Sequence, residues 1–142
     1  MSASDKYLKL KIVSPDGIVL NSNVAVSIEL PTKTGIITVY ADHATIISEI
    51  VPGEIFVELE DETIELAVSS GVLVVEPNSH VNLLVDTAEK SEDIDLEKAL
   101  EAKRKAEELM AQNIYLEDIE IAKLESKIQK ELARISVGTR RR

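Results

Sequence analysis

The sequence of 142 residues contains no cysteine and no tryptophan, and its aromatic side chains are one phenylalanine and three tyrosines. The absence of thiols excludes disulfides, thiolate nucleophiles and zinc sites built on cysteine. So few aromatic rings offer little surface on which bases or sugar rings can stack, which argues against nucleic-acid and carbohydrate binding. Because 44% of the residues are still hydrophobic, the chain can bury a core, and that core must be aliphatic.

Catalytic signatures are missing as well. The five glycines form no phosphate-binding loop, and neither a nucleophile elbow nor a zincin motif occurs. The two histidines, His43 and His80, have no ligand-type neighbours at short spacing. One acidic cluster is predicted at an exposed hairpin tip, without the burial that raises a carboxylate pKa for acid–base work: Glu58, Glu60, Asp61 and Glu62. We therefore predict a protein that is not an enzyme and binds no metal.

No run of about 18 apolar residues is present, so no membrane-spanning helix is expected. The first residues lack the apolar stretch of a signal peptide, so none is predicted. Any association with a membrane is expected to occur through a partner protein.

Residues 8–85 alternate apolar and polar side chains, and turn dipeptides such as Asp16-Gly17 and Pro52-Gly53 interrupt the alternation. One such set is predicted to point to a single buried face: Val24, Val26, Ile28 and Leu30. Eight or nine short strands at this spacing predict an antiparallel β-sandwich or flattened barrel.

The period becomes helical from Asp93 or Asp95, either of which suits a helix N-cap. Small residues at Ala99, Ala102 and Ala106 allow a second helix to approach closely. Gln112-Asn113 interrupts the pattern, and the second helix, expected to end at Gly138, carries isoleucines seven residues apart: Ile114, Ile121, Ile128 and Ile135. These patterns predict an antiparallel two-helix hairpin.

The predicted fold class is α+β, with three segments along the chain. Residues 1–86 form a β-sandwich domain, 87–92 a polar linker, and 93–142 the helical hairpin.

Charge is distributed unevenly. Residues 1–90 carry 14 acidic and 5 basic side chains, whereas the last 20 residues carry 2 acidic and 7 basic ones. Four of the basic residues form one stripe on the second helix, at spacings of four, three and four: Lys123, Lys127, Lys130 and Arg134. We expect a docked helix to show this stripe to solvent, and an undocked helix to offer a partner both an apolar and a basic seam. An ordinary solvated face is the alternative interpretation.

An ordered series of segments resembles the ε subunit of bacterial and chloroplast F-type ATP synthases and, more distantly, its mitochondrial δ homologue. Residues 8–15 resemble the family's first strand and turn, and residues 35–44 its segment G-x-x-x-V/I-x-x-x-H-A, with Ala41-Asp42 where Pro-Gly or Pro-Asn is usual. Further matches follow in order at residues 51–53, 70–77, 81–88, 93–95 and 101–108, with Ser70 in place of one glycine.

The resemblance implies a non-catalytic subunit of the central stalk. In this family the sandwich binds the γ subunit and the ring of c subunits and helps to couple rotation to the catalytic head. The implied contacts with γ and the ring are Thr32, Lys33, Thr34, Gly35 and His43. The helices exist compact or extended, and the extended form blocks ATP hydrolysis. The implied inhibitory contacts with the β subunit are Lys123, Lys127, Lys130 and Arg134. The implied location is the cytoplasmic side of a bacterial plasma membrane, in preference to a plastid thylakoid.

Some members of the family bind ATP between the two helices, with the signature (I/L)-D-x-x-R-A. Here residues 94–99 read IDLEKA, so that Lys98 replaces the arginine, and lysine lacks the fork that grips phosphate. The resemblance thus implies no required cofactor, and ATP only as a regulatory ligand. The residues concerned are Ile94, Asp95, Lys98, Ala99, Lys105, Lys130 and Arg134. Helix capping by Asp95 and ordinary surface lysines are the alternative interpretation.

Two other functions fit the same patterns. One is a nucleotide-sensing protein that acts alone, and the other is an adaptor that self-associates through the isoleucine seam of its second helix.

Overall fold

The computed structural model describes residues 6–112 and 117–141, except for the side chain of Arg141. The predictions for the first five residues, for Ile114 and for Arg142 lie outside the described residues. Ten strands occur in the described part: β1 (Leu8–Ser14), β2 (Gly17–Ala25), β3 (Ser27–Thr32), β4 (Gly35–Tyr40), β5 (Ile46–Ile50), β6 (Gly53–Glu58), β7 (Thr63–Val68), β8 (Gly71–Glu76), β9 (His80–Val85) and β10 (Ala88–Lys90). A 3₁₀ turn, Ser91–Asp93, then leads to α1 (Leu96–Gln112) and α2 (Asp118–Arg141). The predicted fold class, a sandwich followed by a helical hairpin, is confirmed.

The strands follow the order β10-β7-β6-β3-β5-β8-β9-β1-β2, and β4 pairs with β3. Only one residue pair, Thr32 with Ile50, joins β3 to β5, so the sheet folds over at this point into two layers. We call β10, β7, β6, β3 and β4 layer 1, and β5, β8, β9, β1 and β2 layer 2. The prediction of antiparallel pairing needs one amendment, because β1 and β9 run parallel.

The two layers enclose one aliphatic core, to which strands of both layers contribute fully buried side chains such as Leu10, Ile28, Ile55 and Leu73. The alternation predicted from the sequence holds for most strands. It fails at Val24, which is 55% exposed although it was expected to share a buried face with Ile28. Since β2 ends at Ala25 and β3 begins at Ser27, Val24 belongs to a different strand from Ile28, and Ala25 is buried in its place.

β10 lies inside the segment 87–92 that the sequence predicts to be a linker. It pairs antiparallel with β7 through three residue pairs, from Ala88 with Val68 to Lys90 with Leu66. The connection between sandwich and hairpin is therefore partly held in the sheet.

Of the two predicted N-caps, Asp95 begins α1. Its Oδ1 accepts a hydrogen bond of 3.1 Å from the backbone N–H of Lys98, as an N-cap does. The helix ends at Gln112, as predicted, and it packs against α2 with Ala99 and Ala106 fully buried.

The prediction that the second helix ends at Gly138 is wrong, because α2 continues to Arg141. A Cβ atom at position 138 would lie 3.1 Å from Cγ2 of Ile94. The glycine therefore allows α2 to lie close to the start of the hairpin. This close approach, and not a helix end, accounts for a glycine at position 138.

Candidate functional site

The outer face of layer 1 is the surface on which α2 lies, in contact with β6 and β7. Strand alternation turns Glu54 and Phe56 of β6 outward, together with Glu65 and Ala67 of β7. Ala67 pairs with Glu54 on one side and with Glu89 of β10 on the other, while Phe56 pairs with Glu65. Three glutamates from three adjacent strands thus surround one small apolar spot.

The apolar contact between hairpin and sandwich is small. Its buried members are Ala67 of β7, Ile94 at the start of the hairpin, and Ala133 and Val137 of α2. Two of the four are alanines, so burial of apolar area here contributes much less than in the main core.

Arg134 of α2 joins the glutamates at one edge of this contact. Its Nη1 donates to Oε2 of Glu131 at 2.8 Å, and its Nη2 donates to Oε2 of Glu89 at 3.2 Å. The Nε atom lies 2.8 Å from Oε1 of Glu89, within ion-pair distance but without hydrogen-bond alignment. Burial alone would lower the pKa of Arg134, but the hydrogen bond to Glu131 and the nearby carboxylate charges outweigh it and raise the pKa. Glu131 itself is 2% exposed, so Arg134 compensates a buried charge.

Arg140 binds at the other edge. Its Nη2 lies 3.1 Å from Oε2 of Glu54, and its Nε donates to Oε2 of Glu65 at 3.0 Å. Its guanidinium carbon is 5.3 Å from the centroid of the Phe56 ring, which adds a cation–π contact. Burial acts to lower the pKa of Arg140, but the hydrogen bonds to Glu65 and Glu54 and their charges raise it overall.

The predicted basic stripe divides in the structure. Lys123 and Lys127 are exposed, Lys130 is half-buried, and Arg134 points to Glu89 on layer 1. The expectation that a docked helix shows all four cations to solvent is therefore wrong for Arg134. The reason is that Ala133 and Val137 face the sheet, and Arg134 lies beside them on the same side of the helix.

The residues predicted for ATP have mostly structural contacts. Ile94 packs under α2, Asp95 caps α1, and Ala99 is fully buried. Lys98 and Lys105 lie on the exposed surface of α1, and Lys130 is half-buried on α2. The Arg134 guanidinium is already occupied by two carboxylates, so a phosphate group would have to displace them.

The residues predicted to contact γ and the ring separate into two places. Lys33 and Thr34 form a two-residue turn between β3 and β4, closed by Thr32, whose buried hydroxyl donates to the Gly35 carbonyl at 2.6 Å. Gly35 has a φ of 125°, a conformation that suits glycine. His43 follows the opposite end of β4, whose six residues span about 20 Å. The structure does not bring His43 together with the turn.

Sequence reasoning missed an apolar surface on the outer face of layer 2. Cross-strand pairing places four residues from neighbouring strands side by side, which we call the apolar row: Val72, Leu84, Val13 and Ile18. Leu84 is 53% exposed and Ile18 59% exposed. The signal was available in β8, where residues 72–75 are apolar on both faces, a pattern typical of a strand that is covered on both sides.

Within the part of the chain that the structure describes, no group of three or more histidine or acidic side chains is arranged to hold a metal ion. Among the same residues, no helix has both the length and the apolar character needed to cross a bilayer.

These features define a β-sandwich with a docked helical hairpin, whose described sites are contact surfaces. Residues 7–91 match the family described as ATP synthase, Delta/Epsilon chain, beta-sandwich domain, and residues 92–138 match its long alpha-helix domain. The chain belongs to the ATP synthase delta/epsilon chain family, which confirms the resemblance seen in the sequence.

Two curated relatives named ATP synthase epsilon chain match over almost their whole length. The one from Bacillus licheniformis is 32% identical over 133 residues, covering 94% of this chain and 98% of the relative. The one from Desulfitobacterium hafniense is 36% identical over 129 residues, covering 91% and 94%. Among solved structures, the mitochondrial ATP synthase of Euglena gracilis has a chain that matches with a TM-score of 0.75 at 22% identity, covering 90% of this chain and 79% of that one. The central stalk and c-ring structure from Tetrahymena thermophila matches with a TM-score of 0.60 at 13% identity, covering 94% and 98%. These two similarities concern the fold.

Proposed function

We propose that this protein is a non-catalytic central-stalk subunit of a rotary F-type ATP synthase. In this role it binds the γ subunit and the c-subunit ring, and helps to couple rotation of the ring to the catalytic head. Family membership supports this role, and so does the likeness to chains in the Euglena ATP synthase structure with its c-ring and in the Tetrahymena structure of central stalk and c-ring. The observation that carries this proposal is that one outer face of the sandwich is covered by the hairpin and the other is not. The hairpin covers layer 1, whereas layer 2 leaves an apolar row uncovered.

We assign the γ subunit to the apolar row. A continuous strip of aliphatic side chains across four strands is unusual on a free surface and typical of a surface that is covered in an assembly. Ile47 of β5, which is 76% exposed, extends the same face toward the loop that carries His43.

The second part of the proposal is inhibition of ATP hydrolysis by the hairpin. α2 has 24 residues and is therefore about 36 Å long, enough to reach well beyond the sandwich when extended. A small apolar contact and a few ion pairs hold it to layer 1. An extended α2 would present Lys123, Lys127, Lys130 and Arg134 to the β subunit of the catalytic head.

The same proposal places the protein on the cytoplasmic side of a bacterial plasma membrane, attached through the complex. Its support is that the curated relatives named above are bacterial.

Truncation of the hairpin in a reconstituted complex tests the inhibitory role. The chain should be cut after Asp93, because this keeps β10 and its pairing with β7. We expect the complex with the truncated chain to hydrolyse ATP faster than the complex with the full chain. Equal rates would contradict inhibition by the hairpin.

A surface substitution tests the stalk role separately. Leu84→Glu places a charge in the middle of the apolar row and should abolish co-purification with γ, while the isolated protein stays folded. Undiminished co-purification would contradict the assignment of γ to this face.

A further inference from the structure

The contact between hairpin and sandwich combines little apolar burial with several ion pairs. Two alanines, one valine and one isoleucine form its buried apolar part. On either side, three glutamates of the sandwich bind two arginines of α2: Glu89 with Arg134, and Glu54 and Glu65 with Arg140.

The arginines neutralise the carboxylates on the outer face of layer 1. Glu54, Glu65 and Glu89 project from neighbouring strands onto one side of layer 1, where like charges at such spacing repel each other. Among the described residues, their ion-pair partners are Arg134 and Arg140 alone. Undocking of α2 would leave three unpaired carboxylates together on one face.

The two arginines lie at equal distances along α2 from Val137 of the apolar contact. Arg134 precedes Val137 by three residues and Arg140 follows it by three, so they are about 9 Å apart along the helix axis. Ionic contacts on both sides of Val137 fix the rotation of α2 as well as its position.

We propose that Arg134 and Arg140 form an ionic latch, which holds the hairpin on the outer face of layer 1 and makes its docking depend on ionic strength. The latch is a property of the isolated chain and does not require the proposed function to be correct. A surface that presents closely spaced carboxylates competes with the three glutamates for the same guanidinium groups, so an acidic partner opens the latch.

The absence of cysteine from the chain allows a direct test in the isolated full-length protein. Ala67→Cys places a single thiol beneath α2, where Ala67 is 3% exposed, so its labelling rate reports undocking. Val81→Cys in the sandwich core, at a fully buried position, reports global unfolding instead. We expect Arg134→Gln to raise the labelling rate at position 67 at least about tenfold, since it leaves Glu131 buried without its partner. Arg140→Gln should raise it by a smaller factor because Arg140 is more exposed.

Lys127→Gln is the matched control, because it removes the same charge from an exposed position of the same helix. It should leave the labelling rate unchanged. Raising the salt concentration to about 1 M, where the screening length is about 3 Å, should accelerate labelling of the parent Ala67→Cys protein and have little effect once both arginines are replaced.

Three results would overturn the latch. The first is equal labelling rates for Arg134→Gln and Lys127→Gln, and the second is a rate in the parent protein that does not change with salt. The third is equal acceleration at positions 67 and 81, which would mean that the arginines stabilise the whole fold and not the docking. Glu89→Gln repeats the test from the sandwich side, and combining it with Arg134→Gln should add little to either change alone.

Discussion

Arg134 of α2 reaches Glu89 of β10, with its Nη2 3.2 Å from Oε2 of the glutamate. β10 is also the strand through which the chain leaves the sandwich and enters the hairpin. The ion pair therefore ties the second helix back to the segment that connects the two domains. Movement of the hairpin as a unit requires that this pair break or that β10 separate from β7.

Replacing Glu89 should shift the hairpin toward its undocked state in the assembled complex. Glu89→Gln removes a latch partner but leaves every basic residue of α2 in place, so the proposed inhibitory contacts stay available. The half-buried pair is worth about 1 kcal/mol, which is roughly a fivefold change in the docking equilibrium. We expect slower ATP hydrolysis by complexes reconstituted with this variant, measured against the unaltered chain.

The matched control is Glu29→Gln on β3, which removes a glutamate from the same layer at a position without an ion pair among the described residues. It should leave hydrolysis unchanged. Faster hydrolysis with Glu89→Gln would mean that the docked hairpin, and not the extended one, is the inhibitory form.

Asp95 offers a test that separates helix capping from ATP binding. Asp95→Ala removes the hydrogen bond to the Lys98 N–H and should destabilise the start of α1 by about 1 kcal/mol, whereas Asp95→Asn keeps a good N-cap and should cost only a few tenths. Urea unfolding followed by helical circular dichroism measures both effects. Equal losses in the two variants would contradict the capping role.

The same pair of variants decides the predicted ATP site by calorimetry. Binding heat that is present in the unaltered chain and in neither variant would show that the carboxylate itself contacts the nucleotide. Binding that is lost in Asp95→Ala but survives in Asp95→Asn would show that Asp95 supports the site by capping α1. No binding heat in the unaltered chain would contradict the predicted ATP site.

Gly71 should be the glycine least tolerant of substitution in the sandwich. A Cβ atom there would lie 2.2 Å from the Leu84 carbonyl oxygen and 2.8 Å from Cγ1 of Val85, and a main-chain atom cannot rotate away. Gly71→Ala should lower the free energy of unfolding by about 3 kcal/mol, in a thermal or urea melt. Ser70→Ala, one residue earlier, should change it by less than about 0.5 kcal/mol. A small loss at position 71 would mean that β8 and β9 can move apart at this point.

Local patterns predicted most of the fold because their physical causes are local. Asp95 caps the turn that follows it, Ala99 and Ala106 recur at helical spacing, and Ile55 and Val57 alternate along one strand. The predictions failed where a residue is determined by a contact with a distant part of the chain. Gly138 indicated a helix end until its contact with Ile94, 44 residues earlier, became visible.

The candidate site shows the same division. The sequence identified Arg134 as part of a basic stripe, but its partner Glu89 lies 45 residues away, on a strand in a segment whose polar composition suggested a linker. The apolar row was likewise hidden, because Val13 becomes the neighbour of both Leu84 and Ile18 only through strand pairing.

Cross-linking at Lys33 and His43 should reach different subunits. The family resemblance implied both residues in one set of contacts with γ and the ring, but they lie at opposite ends of β4, about 20 Å apart. The His43 loop leads directly into β5, where Ile47 extends the face assigned to γ. Lys33 lies at the tip of a two-residue turn at the other end, with 74% of its side chain exposed. Its Nζ is 3.6 Å from Oε2 of Glu49, which pairs with Val72 at the end of the apolar row, so the turn lies at the edge of that row. We expect His43→Cys, carrying a thiol-attached photo-cross-linker, to join to γ, and Lys33→Cys to join to a c subunit.

The unaltered chain is the negative control in this experiment, because without cysteine it carries no cross-linker. Each variant should be assembled into the complete complex before illumination, and the products identified by mass. If both positions join to a c subunit, γ does not cover the apolar row. If both join to γ, γ extends along the sandwich as far as the turn at Lys33, and the assignment of this turn to the ring is wrong. A His43 cross-link to γ that is lost on adding Leu84→Glu, with the Lys33 cross-link to c also lost, would show that γ positions the sandwich on the ring.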